Sequence, residues 1–108
     1  MTIDLPKPIA NYFKADKKNG EAIVACFSDE AVVKDEGQTY KGLDAIKQWK
    51  ANASTKYTYT VEPMFLRESE EQMIVIGLVA GNFPGSPVNL QYVFKLEGDK
   101  IAALEITL

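Results

Sequence analysis

Asp35 is the residue whose type and position best suit chemistry on a small molecule. It follows Ala31 and Val33 at every second position of a strand-like segment. This spacing predicts that its carboxyl group faces the apolar interior with them, while its chain neighbours face water. Burial disfavours the charged form of a carboxylate and raises its pKa, toward the range that a general base needs. The alternative is a structural aspartate at a strand end, partly reached by solvent or capping the turn at Gly37.

Two tyrosines are predicted to face the same interior. Tyr12 lies on the apolar side of a predicted first helix, and Tyr92 alternates with Leu90 and Phe94 in a later strand. A tyrosine hydroxyl can donate a hydrogen bond to an oxyanion, which is one use for such residues. The alternative, common for buried tyrosines, is a core side chain whose hydroxyl group simply finds one partner.

The composition excludes several other chemistries. The 108 residues include no histidine, so the sequence provides neither a Ser-His-Asp or Cys-His catalytic pair nor a histidine-ligated zinc or haem site. Cys26 is the single cysteine, which rules out an internal disulfide and a thiolate metal cluster and predicts a small buried side chain. The net charge of -3 argues against sequence-independent nucleic-acid binding, which needs a basic surface.

Length and patterning predict one soluble domain over residues 1–108 and a cytoplasmic location. A chain of 108 residues can bury a core of its own but has no room for a second domain. Its beginning lacks the charged and apolar regions of a signal peptide. The longest apolar or glycine run, from Met73 to Gly81, falls far short of the ~20 residues of a membrane helix.

The periodicity predicts three helices and then strands, an α+β architecture. The first helix begins near Pro8, the second at Glu21, and the third runs from Leu43 to Ala53. Ser28-Asp29 is expected to break the second helix before a strand from Ala31 to Asp35 and a short return strand. Further strands are predicted from Tyr57 to Val61, Met73 to Phe83, Val88 to Leu96 and Lys100 to Leu108.

The predicted sheet is expected to curve around the helices. Gly77 and Gly81 would let one long strand bend sharply, and a pocket would open where the helices leave the concave face uncovered. Pro63 predicts an edge, a bulge or a bend, and Arg67 to Gln72 a charged turn. Besides the three polar residues above, the pocket wall is predicted to consist of Ile9, Phe13, Phe27, Val33, Trp49, Tyr57, Tyr59, Phe65, Phe83 and Phe94.

Three local strings, in their order and spacing, resemble the NTF2-like superfamily and its SnoaL-like branch. They are Asn19 to Asp35, with Phe27-Ser28-Asp29-Glu30-Ala31-Val32 inside it; Tyr40-Lys41-Gly42-Leu43-Asp44-Ala45-Ile46 with Trp49; and Gly81 to Val88 with the hairpin that follows. The likeness covers essentially the whole chain. It implies the cone of that family, with three N-terminal helices packed on a strongly curved antiparallel or mixed sheet.

Within that superfamily the residues most resemble the steroid Δ5-3-ketosteroid isomerases. Those enzymes carry a tyrosine on the first helix, an aspartate base at the end of the first strand, and an acid on a later strand that donates a hydrogen bond in its neutral form. The resemblance implies Tyr12 and Asp35 for the first two and places Tyr92 where the acid would stand. Tyrosine can still donate to an oxyanion, but the aspartate-specific part of that mechanism is absent.

Other members of the superfamily need residues that this chain lacks. Scytalone dehydratases depend on histidine, and polyketide cyclases of the SnoaL kind pair an aspartate with further polar partners that here cannot include histidine. Limonene-epoxide hydrolases need an Asp-Arg-Asp cluster, whereas Arg67, the single arginine, lies among glutamates.

The resulting hypothesis is a protein that binds a small apolar ligand and performs isomerase- or cyclase-type chemistry. Asp35, Tyr12 and Tyr92 would be catalytic, and neither a metal nor an organic cofactor would take part. The alternative is a non-catalytic protein, which either binds an apolar ligand or serves as an accessory or protein-interaction domain with a vestigial pocket; the missing acid slightly favours this alternative. A homodimer is predicted through the outer face of the sheet, which would carry Thr58, Thr60, Ile74, Ile76, Gln91 and Val93.

Overall fold

The computed structural model describes residues 5–15, 20–56, 58–69 and 71–107. Within these ranges the elements are α1 (Lys7–Ala15), α2 (Gly20–Val24), β1 (Phe27–Asp35), β2 (Gln38–Lys41), α3 (Leu43–Lys56), β3 (Tyr59–Ser69), β4 (Gln72–Gly81), β5 (Val88–Glu97) and β6 (Lys100–Thr107). This order confirms the predicted α+β class, with helices before most of the sheet. Of the described helices, none combines the length and the apolar composition that a bilayer crossing requires.

The strands form one mixed sheet in the order β2-β1-β6-β5-β4-β3. The pair β1 and β6 is parallel, and the other neighbouring pairs are antiparallel. The last strand in the sequence therefore lies between β1 and β5. This placement brings the end of β1, which carries Asp35, within two strands of Tyr92 on β5.

One face of the sheet packs on the helices and is called the inner face. Buried apolar side chains from all three described helices and from this face form one cluster, which includes Ile9, Ile23, Ile46, Val33, Val61, Val75, Phe94 and Leu104. Ala31 and Val33 have no exposed surface, which agrees with the inward side that the period of two predicts for them. The opposite, outer face carries the residues of the other parity.

β1 begins earlier than the sequence predicts, and the expected break at Ser28-Asp29 is part of the strand. Phe27 pairs with Ile101 of β6, and the N–H of Ile101 donates to the carbonyl oxygen of Cys26 at 2.8 Å. The register then shifts before Val32. An irregular stretch of this kind lacks strict alternation, so its strand character cannot be seen from hydrophobic periodicity.

β3 also runs further than predicted, through Pro63 as far as Ser69. Pro63 pairs with Gly77 while Phe65 pairs with Ile76, so Met64 is an extra residue in the strand. This is a β-bulge, one of the outcomes that Pro63 predicts. Because the bulge adds one residue, it reverses the side on which every later side chain of β3 lies.

Two tight connections fix α3 against β1. Glu36 and Gly37 both have positive φ angles, of 52° and 77°, as a two-residue hairpin turn requires, and they place Asp35 opposite Gln38. Gly42 then donates its N–H to the carbonyl oxygen of Ala31 at 2.9 Å and accepts from the N–H of Ile46 at 3.0 Å. The start of α3 is therefore bonded directly to the strand that ends in Asp35.

Candidate functional site

Asp35 occupies the last position of β1 and is half-buried on the inner face. The indole N–H of Trp49, on α3, donates a hydrogen bond to Oδ2 of Asp35 at 3.0 Å. The tight β1–β2 turn and the anchored start of α3 bring these two side chains together from positions fourteen residues apart. The inward placement of Asp35 agrees with the sequence analysis, and its role as a base stays a prediction.

Burial raises the pKa of Asp35 above the ordinary value for an aspartate. The hydrogen bond from Trp49 acts in the opposite direction because it stabilises the carboxylate; the negative charge of Glu36 raises the pKa further, and a backbone hydrogen bond at Glu36 lowers it. The net direction is upward. Such a carboxylate takes up a proton more readily than an exposed one, which is the property a general base needs.

Asp35 and Tyr92 occupy one row of the sheet. Asp35 pairs with Ile106 of β6, and Ile106 pairs with Tyr92 of β5. Directly paired residues project from the same face, and two strand spacings separate the Cα atoms of Asp35 and Tyr92 by about 9.5 Å. The sheet therefore aims the predicted base and one predicted hydrogen-bond donor to the same side at the same level.

The two predicted catalytic tyrosines lie close together. The rings of Tyr12 and Tyr92 have centroids 6.5 Å apart, and Tyr12 is only 2% and Tyr92 4% exposed. They belong to a cluster of mostly edge-to-face contacts with centroid distances from 5.2 Å upward, and its other members are Phe13, Phe27 and Phe94. Three of the predicted wall residues thus pack on the tyrosines, and Phe13 and Phe94 also pack on each other.

The remaining predicted wall residues have mixed positions. Ile9, Val33 and Trp49 are buried, while Tyr59 and Phe83 are partly buried and pack against the core. Tyr57 lies outside the described residues. Most of the set is thus buried, either on the helices or on the inner face that they cover, and contact with a ligand stays a prediction.

The assignment of Phe65 to the pocket wall is wrong. Its side chain is 66% exposed. The prediction counted alternate residues from Val61, but the bulge at Met64 moves Phe65 to the outer face and places Leu66 against the core instead. Phe65 lies there beside Ile76, its partner on β4.

Lys50 is a polar residue of the interior that the sequence analysis missed. Its side chain is 2% exposed, and its ammonium group donates to the Tyr59 hydroxyl at 2.9 Å and lies 5.1 Å from the centroid of that ring. The available signal was its spacing, because Lys50 follows the buried Ile46 by four residues and so shares its side of α3. Lysine side chains are usually exposed to solvent, so the residue type predicts exposure although the spacing predicts burial.

Tyr59→Phe is expected to lower the free energy of unfolding by about 1–3 kcal/mol, because the buried ammonium group of Lys50 loses one of its acceptors. Chemical denaturation of the two proteins measures the difference. Lys50→Met is the matched control: it removes the charge together with its need for the acceptor, and should cost less than Tyr59→Phe. The reverse order would show that the ammonium group does not depend on the Tyr59 hydroxyl.

A surface groove of about 700 Å³ lies where the register of β1 against β6 is irregular. It is lined by Phe27, Ser28, Asp29, Glu30, Glu97, Lys100 and Ala102. Asp35, Tyr12 and Tyr92 are not among these residues. The groove therefore lacks the three candidate catalytic residues, although Phe27 belongs both to its lining and to the aromatic cluster around Tyr12.

Solved structures with this architecture identify the family. A candidate polyketide cyclase from Sinorhizobium meliloti is 38% identical over 96% of this chain and 96% of that chain, with a TM-score of 0.91. A protein of ketosteroid isomerase-like fold from Catenulispora acidiphila matches 97% of this chain and 87% of that chain with a TM-score of 0.85 and 17% identity. An NTF2-like protein from Cytophaga hutchinsonii matches 99% of this chain and 93% of that chain with a TM-score of 0.71 and 14% identity. The chain belongs to the NTF2-like superfamily.

The resemblance carried by the three local strings is thus confirmed for superfamily and fold. For this NTF2-like protein, the 38% identical relative shows kinship, whereas the matches at 17% and 14% identity show the fold alone. A scan against protein-family models finds no match. A search of curated proteins finds none either.

Proposed function

We propose that this NTF2-like protein binds a small apolar ligand on the inner face of its sheet and that Asp35 removes a carbon-bound proton next to a carbonyl group. The observation that carries the proposal is the placement of Asp35: a half-buried carboxylate on the inner face, whose pKa burial raises. Burying a carboxylate costs folding free energy, which the hydrogen bond from Trp49 offsets only in part, so a use in chemistry would explain its presence there. Abstraction of a weakly acidic proton is a use that needs a raised pKa.

The proposed reaction requires no co-reactant. Asp35 takes the proton, and the electron pair of the C–H bond forms the C=C bond of an enolate whose charge lies on the former carbonyl oxygen. The hydroxyl groups of Tyr12 and Tyr92 would donate hydrogen bonds to that oxygen. Return of the proton from Asp35 to another carbon gives an isomer; alternatively, the enolate carbon attacks a second carbonyl group, the resulting alkoxide takes the proton, and a ring closes.

The similarity to a candidate polyketide cyclase favours the second outcome. Polyketide chains carry carbonyl groups on both sides of CH₂ groups, which makes those protons acidic enough for a carboxylate base. Ring closure between two such carbonyl groups begins with the proton transfer assigned to Asp35. The absence of histidine counts against a SnoaL-like cyclase in the sequence analysis, but the 38% identical relative speaks against that exclusion, and in the proposed reaction the carboxylate itself acts as the base.

A second candidate function is a non-catalytic binding or accessory domain. Tyr12 and Tyr92 are almost fully buried within the aromatic cluster, and Oδ2 of Asp35 is bonded to Trp49. These contacts favour a structural role for all three side chains. The two functions predict different results with a reactive probe.

The deciding experiment uses 5-nitrobenzisoxazole, which opens to a coloured phenolate once a base removes one carbon-bound proton. We expect turnover well above that given by an equal concentration of acetate, with a rate that rises as Asp35 loses its proton and then levels off. A β,γ-unsaturated ketone, 5-androstene-3,17-dione, tests isomerisation in the same way. Binding of the apolar dye ANS without turnover of either compound would favour the accessory role. A protein that shows neither binding of ANS nor turnover of either compound would contradict both functions.

We also propose that the protein forms a homodimer through the outer face of the sheet. Phe65 lies in one row with Ile76 and Gln91 on that face, and the side chains of Met64 and Phe65 are 38% and 66% exposed. Large apolar side chains exposed together on a sheet are typical of an interaction surface. A second copy offers a matching apolar surface by symmetry.

Phe65→Glu is expected to weaken the dimer by at least about tenfold, because the substitution places a charge where apolar surface would be buried. Sedimentation equilibrium of wild-type and substituted protein measures the dissociation constant. Asn11→Glu, an equal change of charge at an exposed position of α1, is the control and should leave the dimer unchanged. A wild-type protein that stays monomeric at high micromolar concentration would refute the dimer.

A further inference from the structure

The candidate base has hydrogen bonds with the backbone of Glu36 and with the side chain of Trp49, and the bond from Trp49 is of one kind only. An indole N–H donates and cannot accept, so Trp49 cannot take a proton from Asp35 or from a ligand. Its 3.0 Å contact with Oδ2 of Asp35 fixes one oxygen of the carboxylate. The other oxygen, Oδ1, can take up a proton without breaking this bond, while the backbone hydrogen bond with Glu36 restrains the carboxylate further.

Three elements hold the indole ring in place. Trp49 lies on α3, whose first residues are bonded to β1 through Gly42 and Ala31. The ring of Tyr40, on β2, lies 6.2 Å from the indole ring at an angle of 39°, and Tyr40 itself pairs with Val33 of β1. With only 7% of its surface exposed, Trp49 has little freedom to turn away from Asp35.

We propose that Trp49 is a positioning residue for Asp35: its N–H holds Oδ2 in place and presents Oδ1 to the ligand. This inference rests on the proposed function, because it assigns a role within the same site. A donor held by a buried ring restricts the carboxylate to one orientation before the ligand arrives. Preorganisation of this kind accounts for a large part of the rate of many proton transfers, since small misplacements of a base are costly.

The geometry has a consequence for proton affinity. The hydrogen bond from Trp49 favours the charged carboxylate and so opposes the effect of burial on the pKa of Asp35. Removing the donor should therefore raise the pKa of Asp35 further. A base with a higher pKa but a free rotation would bind a proton more tightly at equilibrium and still react more slowly.

The test compares Trp49→Phe with Tyr40→Phe, a control that keeps the supporting ring. Carboxyl ¹³C NMR reports the titration of Asp35, and turnover of 5-nitrobenzisoxazole reports the reaction. We expect Trp49→Phe to raise the pKa of Asp35 and to lower kcat on the order of 10- to 100-fold at a pH above both titrations, with a much smaller change in KM. Tyr40→Phe should leave the pKa, kcat and KM near their wild-type values.

A second measurement does not depend on the fold of the Trp49 variant. Trp49 is the single tryptophan of the chain, so its indole N–H gives one resonance in a ¹⁵N-labelled protein. This resonance should shift with pH at the midpoint of Asp35 in wild-type protein and lose that shift in Asp35→Asn.

The outcomes separate this inference from the proposed function. An active wild-type protein in which Trp49→Phe changes neither kcat nor the pKa of Asp35 overturns the positioning role alone. An indole resonance that ignores the titration of Asp35 also overturns it. A wild-type protein that is inactive toward the probe, with a normal indole titration, overturns the proposed function and reduces Trp49 to a structural partner of Asp35.

Discussion

Asp35→Asn is expected to lower the rate of proton removal from 5-nitrobenzisoxazole by about 10²- to 10⁴-fold. Asparagine has nearly the same shape as aspartate, and its carbonyl oxygen can still accept from the indole N–H of Trp49, but it cannot take a proton. Binding of an apolar ligand depends on the surrounding surface, so its affinity should change by less than about threefold. Stopped-flow absorbance gives the rate, and fluorescence titration with ANS gives the affinity.

The same substitution is expected to leave the fold at least as stable at neutral pH. The pKa of Asp35 is raised in the folded protein, so the folded state binds the proton more tightly than the unfolded state does. The stability of the wild-type protein therefore falls as pH rises through the folded pKa, and above it the protein retains a partly buried charge that asparagine lacks. Denaturation at pH 7 then shows whether a lower reaction rate reflects the missing base or a less stable fold.

Glu36→Gln is the matched control, because it removes one carboxylate at the adjacent residue, which is exposed. Loss of the Glu36 charge should lower the pKa of Asp35, since that charge contributes to raising it. The rate should stay close to wild type, with its rise displaced to lower pH. Equal losses of activity in Asp35→Asn and Glu36→Gln would contradict a specific role for Asp35, as would a loss of ligand affinity as large as the loss of rate.

Short-range patterns account for the part of the site that could be predicted. Alternation along β1 places Asp35 with Ala31 and Val33, and alternation along β5 places Tyr92 with Phe94; both sets of residues project inward. Within a regular strand a period of two leaves one choice of side. The helix order and the local strings likewise indicate the superfamily, because each depends on residues close together in the chain.

Irregular backbone accounts for the errors. Parity predicts an inward side chain for Phe65, but one additional residue at the bulge reverses parity for the rest of β3. The signal was Pro63, which predicts an irregularity but not the number of residues that it inserts. The register shift between Phe27 and Val32 likewise removes the strict alternation that would predict the first part of β1 as a strand.

Hydrogen bonds between side chains of different helices and strands could be predicted neither from hydrophobic periodicity nor from residue type. The bond between Trp49 and Asp35 joins a helix to a strand, and it depends on how the turn at Gly42 aims α3. The bond between Lys50 and Tyr59 depends on a lysine being buried, against the usual preference of that residue type. Both contacts bring polar groups of α3 to inner-face residues, so the polar part of the site is built mainly by tertiary packing.

Gly81→Ala is expected to be the most damaging small substitution in the sheet, with a loss of about 3 kcal/mol or more in the free energy of unfolding. A Cβ atom at position 81 would lie 2.7 Å from the Cα atom of Tyr59 and would also meet the carbonyl oxygen of Thr58. These are backbone atoms, and Thr58 is held by two hydrogen bonds with Asn82, at 2.9 and 3.0 Å. The start of β3 therefore cannot move away without breaking its own connections.

Gly77→Ala is the matched control in the same strand. A Cβ atom there would lie 3.0 Å from Cε1 of Tyr92 and 3.1 Å from Cγ1 of Val61, which are side-chain atoms that can shift slightly. Urea denaturation should give a loss of about 1 kcal/mol, well below that of Gly81→Ala. A loss as large as that of Gly81→Ala would mean that the Tyr92 ring is as immobile as backbone. A displaced ring should instead slow turnover of 5-nitrobenzisoxazole while the pKa of Asp35 stays unchanged, because the substitution touches the proposed oxyanion donor and not the base.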